Sequence, residues 1–261
     1  MTTPRFITTP SLNLNLCYVQ TGCSTSSLPP IVLVHGFLSS HRTFDPLLEL
    51  LAPHREVYAL DLPGYGRSQP ATLTQAYDRD FFAAAVLDFA DAKGLQRFIL
   101  VGHSMGGGVC QAVADRAPER LEQLVLINSV GVEVPWTARL ASIPLLGPVL
   151  FGLFFTVMSL LGRFASHRGF RPLACARAVA QATLKRMLSR LHRAKASLSR
   201  IQVPTALLWG ERDSLLSLTG AYRLADIIPR ASVRVISGAG HFPTTEAPQK
   251  VSQALLEAIR R

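Results

Sequence analysis

Hydrophobic positions along this chain fall into two alternating patterns. Short, near-continuous apolar runs at 31–34, 57–60, 98–101, 124–127, 206–209 and 233–236 are what strands buried on both faces of a parallel sheet require. Between them, 44–51, 78–93, 105–116, 219–228 and 248–261 place apolar residues at helical spacing, and most of their ends carry turn or cap residues such as Asp45, Gly94, Pro118 and Pro229. An N-terminal pair at 6–8 and 12–20 includes the strict alternation Leu12-Asn13-Leu14-Asn15-Leu16, the pattern of an antiparallel edge strand with one wet face. Eight strands with interleaved helices predict an α/β fold: a mostly parallel eight-stranded sheet flanked by helices.

The alternation breaks once. Residues 131–202 show no strand pattern, only helical, apolar and basic sequence. We expect a helical cap inserted between strands 6 and 7, with 1–130 and 203–261 forming the core domain. At 261 residues one core can bury roughly 70% or more of the unfolded surface, and 48% hydrophobic residues exclude a disordered chain.

Charge sharpens the picture of the insertion. The net charge of +10 comes from one place: between Pro135 and Gly210 there is no Asp or Glu but eleven of the 27 Lys and Arg, leaving 16 cations against 17 acids elsewhere. Within it, residues 140–162 run 23 residues without a charge, long enough to span a bilayer. Pro144, Gly147, Pro148 and Gly152 would interrupt such a helix early, so a cap is expected instead. Over 175–198, apolar Val179, Leu184, Met187, Leu188, Leu191 and Leu198 lie mostly on one helical face, with Arg177, Gln181, Arg186, Arg190 and Arg193 on the other. This reads as an amphipathic cap helix with a solvated cationic face, and peripheral contact with an anionic membrane surface is the sharper alternative. Aromatic interleaving is missing from the helix, so nucleic acid is not an expected partner.

The four cysteines (Cys17, Cys23, Cys110, Cys175) form no metal-binding or disulfide spacing. No metal and no cofactor are called for. The N-terminus has no secretory pattern, and we expect a cytoplasmic protein.

Candidate chemistry begins at Gly102-His103-Ser104-Met105-Gly106. It follows an apolar run and opens a helix, the strand–turn–helix context of a nucleophile elbow. A serine hydroxyl is a weak nucleophile and needs a base within hydrogen-bond reach, itself oriented by a carboxylate. His241, in the glycine-rich turn after the last strand, is the candidate base. Asp213, after the seventh strand, is the candidate acid, with Glu211 as its competitor.

The order Ser104, Asp213, His241, each beyond a strand end, resembles the α/β-hydrolase superfamily. Other motifs extend the likeness over 31–261: His35-Gly36-Phe37 is similar to that family's oxyanion-hole turn, residues 61–68 to its turn after strand 4, and 240–248 to its histidine loop. The resemblance implies Ser104 as nucleophile and the backbone N–H groups of Phe37 and Met105 as oxyanion donors, and leaves Asp61 and Arg67 structural. A serine in the elbow, where relatives that open epoxides or displace halide carry aspartate, points to acyl transfer to water. The expected function is a serine carboxylesterase acting on small apolar esters. Carbon–carbon bond hydrolase, perhydrolase, thioesterase and lactonase remain open on the same triad, as does a non-catalytic ligand receptor or scaffold of the same fold.

Overall fold

One eight-stranded sheet, in spatial order β1-β2-β4-β3-β5-β6-β7-β8, organises the protein in the computed structural model, which describes residues 3–22, 28–72, 77–132, 179, 181–183, 186 and 197–259. The strands are β1 (Arg5–Thr8), β2 (Asn15–Thr21), β3 (Ile31–Val34), β4 (Val57–Leu60), β5 (Phe98–His103), β6 (Leu121–Ile127), β7 (Thr205–Gly210) and β8 (Ala231–Ile236). Among the described strands β2 alone is reversed, pairing antiparallel with both β1 and β4; from β4 across to β8 every pairing is parallel. Helices bounded within the described residues are α1 (Asp45–Leu51), α2 (Arg79–Ala92), α3 (Met105–Arg116), α4 (Leu218–Ile227), α5 (Pro243–Glu246) and α6 (Pro248–Ala258).

Because side chains alternate across a strand, consecutive strand residues feed two separate cores. Val32, Val34, Leu100, Leu124, Leu126 and Leu207 pack with α2, α3 and α4 on one face. Ile31, Leu33, Ile99, Val101, Val125 and Leu208 pack with α1 and α6 on the other. This explains the unbroken apolar runs: a strand covered on both sides has no wet position. Each fully buried Phe or Leu contributes about 1.5–3 kcal/mol of hydrophobic stabilisation, and Phe82 and Phe89 of α2 and Leu255 of α6 are among them.

Two expectations need correction. The alternating Leu12-Asn13-Leu14 is a turn, not strand: Thr9 N–H donates to Leu14 O at 2.9 Å, Asn13 stands at φ 51, and the N–H groups of Ser11 and Leu12 both donate to the buried Asp88 carboxylate on α2. Asn tolerates this left-handed conformation, so polarity at position 13 serves the turn rather than a wet strand face. Residues 233–236, read as a buried strand, lie in the edge strand β8, where Val235 is 42% exposed.

The expected cap falls mostly outside the described residues, including the whole uncharged run 140–162. Of the inserted segment, Val179 lies against the turn after β4, its methyl carbon 3.0 Å from where a Cβ on Gly64 would stand. Thr183 accepts a 3.3 Å hydrogen bond from the Tyr65 hydroxyl. Among the described residues no helix is long and apolar enough to cross a membrane.

Candidate active site

Parallel strands with crossover helices put every strand-to-helix turn at the same end of the sheet, and the candidate residues gather there. Ser104 occupies the single residue between β5 and α3, at φ 53 and ψ −118. A non-glycine residue pays about 1–3 kcal/mol for such a conformation, which persists only where surrounding structure imposes it. Here Ser104 N–H donates to Ile127 O at 3.0 Å, and Ser104 O accepts from Gly107 and Val130 N–H at 3.0 and 3.1 Å. The sharp turn also brings backbones into contact: a Cβ on Gly106 would stand 2.2 Å from Val34 O. Both consequences were legible in the glycine pattern of the elbow.

Asp213 lies three residues past β7, with a fully buried side chain. Its Oδ1 accepts the N–H groups of Leu215 and Leu216 at 2.8 and 3.0 Å, and its Oδ2 accepts His241 Nδ1 at 2.8 Å. Burial pushes this carboxyl upward, but the hydrogen bonds from His241, Asn128 and Leu216 together outweigh it and hold it below the ordinary carboxylate value. A ring nitrogen facing an ionised carboxylate must carry the proton, so His241 Nδ1 is the donor and Nε2 presents its lone pair. That Nε2 lies 3.1 Å from Ser104 Oγ. A carboxylate, an imidazole and a hydroxyl therefore form one hydrogen-bonded chain, arranged so that the imidazole can accept the hydroxyl proton and the carboxylate can stabilise the resulting cation.

Glu211 is directed elsewhere. Its carboxylate accepts Gly238 N–H at 2.8 Å, across the turn that leaves β8. The His35-Gly36-Phe37 turn passes beside the serine, with a Cβ on Gly36 calculated to stand 3.1 Å from Ser104 Cβ. Met105 is the first residue of α3, where helix N–H groups lack intrahelical acceptors and the helix dipole favours negative charge.

Two residues hydrogen-bonded to this site were not singled out from sequence. Asn128, fully buried at φ 42 directly after β6, donates Nδ2 to Asp213 Oδ2 at 2.5 Å and to Gly240 O at 3.3 Å, while its Oδ1 accepts Gly210 N–H at 3.1 Å. The one signal available was its place as the first polar residue beyond an apolar strand. His103, noted only as part of the elbow, donates Nε2 to the main-chain carbonyl of His241 at 2.7 Å.

His41 is buried. Its N–H and Nδ1 both donate to Asp61 Oδ1, at 2.6 and 2.9 Å, while Arg67 N–H donates to Asp61 Oδ2 at 2.9 Å. Cys17, His41 and Asp61 are the one group among the described residues with three metal-ligating atoms within 4.8 Å of one another. Burial, helped by Asp61, pushes the Cys17 thiol up to about 12, and the carboxylate's lone pairs are taken by the three donors above. This donor set is a closed hydrogen-bond network that shapes the turn after β4, and it does not fit a metal.

Comparison with known proteins follows the same lines. The profile of the alpha/beta hydrolase family matches residues 31–254. A 2-hydroxymuconate semialdehyde hydrolase of Pseudomonas sp. (strain CF600) is 29% identical over 236 residues, covering 83% of this chain and 82% of the relative. Among solved structures, a bacterial membrane phospholipase A described as a virulence factor superposes with a TM-score of 0.81 at 26% identity, covering all of this chain and 87% of the other. A thermophilic esterase of Thermogutta terrifontis gives 0.76 at 25% identity, covering 99% and 98%.

Proposed function

The chain belongs to the alpha/beta hydrolase family, and from that premise we propose that it is a serine carboxylesterase cleaving esters of apolar acyl or alcohol groups through an acyl-enzyme. The observation that carries this reading is the chain Ser104 Oγ, His241 Nε2, His241 Nδ1, Asp213 Oδ2, at 3.1 and 2.8 Å. Ser104 Oγ attacks the ester carbonyl carbon as its proton passes to His241 Nε2. The carbonyl π pair moves onto oxygen, and the N–H groups of Phe37 and Met105 hold that oxyanion. When the oxyanion collapses, the C–O bond to the alcohol breaks and His241 returns the proton to the leaving oxygen. Water then repeats the sequence, releasing the acid and restoring Ser104. Asp213 remains ionised throughout, fixing the His241 tautomer and stabilising its cationic form. No step calls on a metal or cofactor.

An apolar substrate is supported by the uncharged run 140–162 in the segment joined to the core beside Ser104 and by the esterase and phospholipase among the structural relatives. We further propose that residues 131–202 form a helical cap with a solvated cationic face, contact of that face with an anionic membrane surface being the sharper alternative, and that the protein is cytoplasmic, a compartment that suits the buried free thiols Cys17 and Cys110. A fluorophosphonate probe should label wild type at Ser104. Across p-nitrophenyl esters, kcat/KM should rise from acetyl to medium chains, by roughly fourfold per buried methylene at about 0.8 kcal/mol each, and fall when the chain outgrows the pocket. A flat profile would remove the apolar run from the substrate pocket.

One observation favours a second reading. The Pseudomonas relative cleaves, by its name, a 2-hydroxymuconate semialdehyde, and the same triad serves carbon–carbon hydrolysis. Turnover of such a 2-hydroxy-6-oxo-dienoate exceeding that of every ester in the series would select it over the esterase.

A further inference from the structure

The segment that carries His241 has its backbone held at four points by side chains. Glu246 accepts the N–H groups of both Gly240 and Phe242. Asn128 Nδ2 donates to Gly240 O at 3.3 Å, and His103 Nε2 donates to His241 O at 2.7 Å. Of these holders, His103 alone is covalently next to the nucleophile. The residue is 1% exposed, its ring centroid lies 5.2 Å from that of His241 and 5.4 Å from that of Phe242, and among the described residues its Nδ1 has no hydrogen-bond partner. On the Nδ1 side stands the turn before Phe37, where a Cβ on Gly36 would come within 3.2 Å of that nitrogen. One buried imidazole is thus wedged between the turn at Gly36 and the loop of the base.

We propose that His103 is a positioning residue: by holding the His241 carbonyl and filling the gap to the Gly36 turn, it sets where His241 Nε2 stands relative to Ser104 Oγ. The proposal rests on the serine-hydrolase reading and adds a residue to it. Its chemistry suits the role. With the carbonyl accepting at Nε2, the proton stays there and the lone pair is left at Nδ1, an unpaired acceptor that costs less than an unpaired donor. The titratable groups facing it are His241, Asp213 and His35; burial first, then His241, pushes its protonation down to about 4. It is therefore neutral at working pH, and when His241 takes the serine proton the new cation meets a neutral ring rather than a second charge. A misplacement of about 1 Å at such a site can cost on the order of 10²-fold in rate, so one hydrogen bond to the loop has leverage beyond its own strength.

The test is a set of variants assayed with a soluble short-chain ester. His103→Leu removes the donor and is expected to lower kcat by roughly 10- to 100-fold with KM little changed, whereas His103→Gln, which keeps an N–H of similar reach, recovers most of the loss. In a His241→Ala background His103→Leu should cost no further rate, since the residue acts through His241. Equal damage from Leu and Gln, an equally large loss without His241, or normal kcat in folded His103→Leu would each overturn the proposal. The low-field proton resonance of His241 Nδ1–H gives a readout independent of turnover: it should weaken in His103→Leu and persist in His103→Gln, and an unchanged signal in the Leu variant refutes the role. Wild type that neither hydrolyses nor labels at Ser104 would instead defeat the serine-hydrolase reading, and the resonance would still decide whether His103 places His241.

Discussion

Asn128 and His241 share one oxygen of Asp213: Oδ2 accepts Asn128 Nδ2 at 2.5 Å and His241 Nδ1 at 2.8 Å. The amide thereby gives the buried Oδ2 a second donor beside the imidazole, while Oδ1 is held by Leu215 and Leu216 N–H, and it ties the ends of β6 and β7 to the histidine loop through Gly210 N–H and Gly240 O. A charge-assisted hydrogen bond of this kind is worth about 1.5–3 kcal/mol, which decides how the residue should respond to substitution.

Asn128→Ala is expected to lower kcat/KM by about one order of magnitude, since 1.4 kcal/mol is tenfold, and to let the Asp213 carboxyl rise toward its ordinary value. Asn128→Asp should be worse, because two carboxylates would then compete for one imidazole proton. Both effects are read from kcat/KM against pH, and an acid limb identical to wild type in both variants would contradict this role for Asn128.

Ser104→Ala should fold normally and lose turnover by a factor on the order of 10³ or more, keeping a residue of rate from the remaining site. Fluorophosphonate labelling should vanish with it. Near-normal hydrolysis by a folded, uncontaminated sample would remove Ser104 from the chemistry.

Asp213→Asn should be severe and Glu211→Gln mild. Asparagine can present its N–H to His241 Nδ1 and so favour the wrong tautomer, whereas Glu211 accepts Gly238 N–H, away from His241. The comparison needs purified variants assayed side by side, and the reverse order would reassign the acid.

Stability should fall in two stages on acidification. His103, and in the same direction His35, are buried and held below the ordinary 6.5, mainly by desolvation. The unfolded chain then takes up protons near pH 6.5 that the folded chain refuses until about 4 for His103, so this contribution is complete above 6.5 and lost on the way down to about 4. Asp61, Asp88 and Asp213 are held below 3.8 against the opposing effect of burial. Their contribution is present above that value and fades below it. Urea midpoints measured from pH 8 to pH 3 should show both stages, and His103→Gln should shrink the first; a midpoint constant between pH 7 and 4.5 would refute the histidine contribution.

The residues whose roles depend on local backbone were readable in one dimension. Apolar runs covered on both faces marked β3 to β7; a sharp turn between strand and helix demanded glycine around Ser104; the chain order of serine, acid and histidine after successive strands set the candidate site. These signals are local because sterics and side-chain alternation act over a few residues. What folding alone decided are contacts made across the sheet end by residues with no pattern of their own. Asn128, 85 positions from Asp213, and His103, 138 from His241, meet their partners only because parallel strands deliver all their carboxyl ends to one side. The same holds for His41, whose burial comes from Asp61 across the turn after β4, and for Leu12-Asn13-Leu14, whose alternation meant strand until the Asp88 carboxylate on α2 captured the backbone as a turn. Hydrophobic period fixes which residues are inside; the pairing of buried polar groups is settled by three-dimensional proximity, because a buried donor or acceptor must find a partner wherever the fold supplies one.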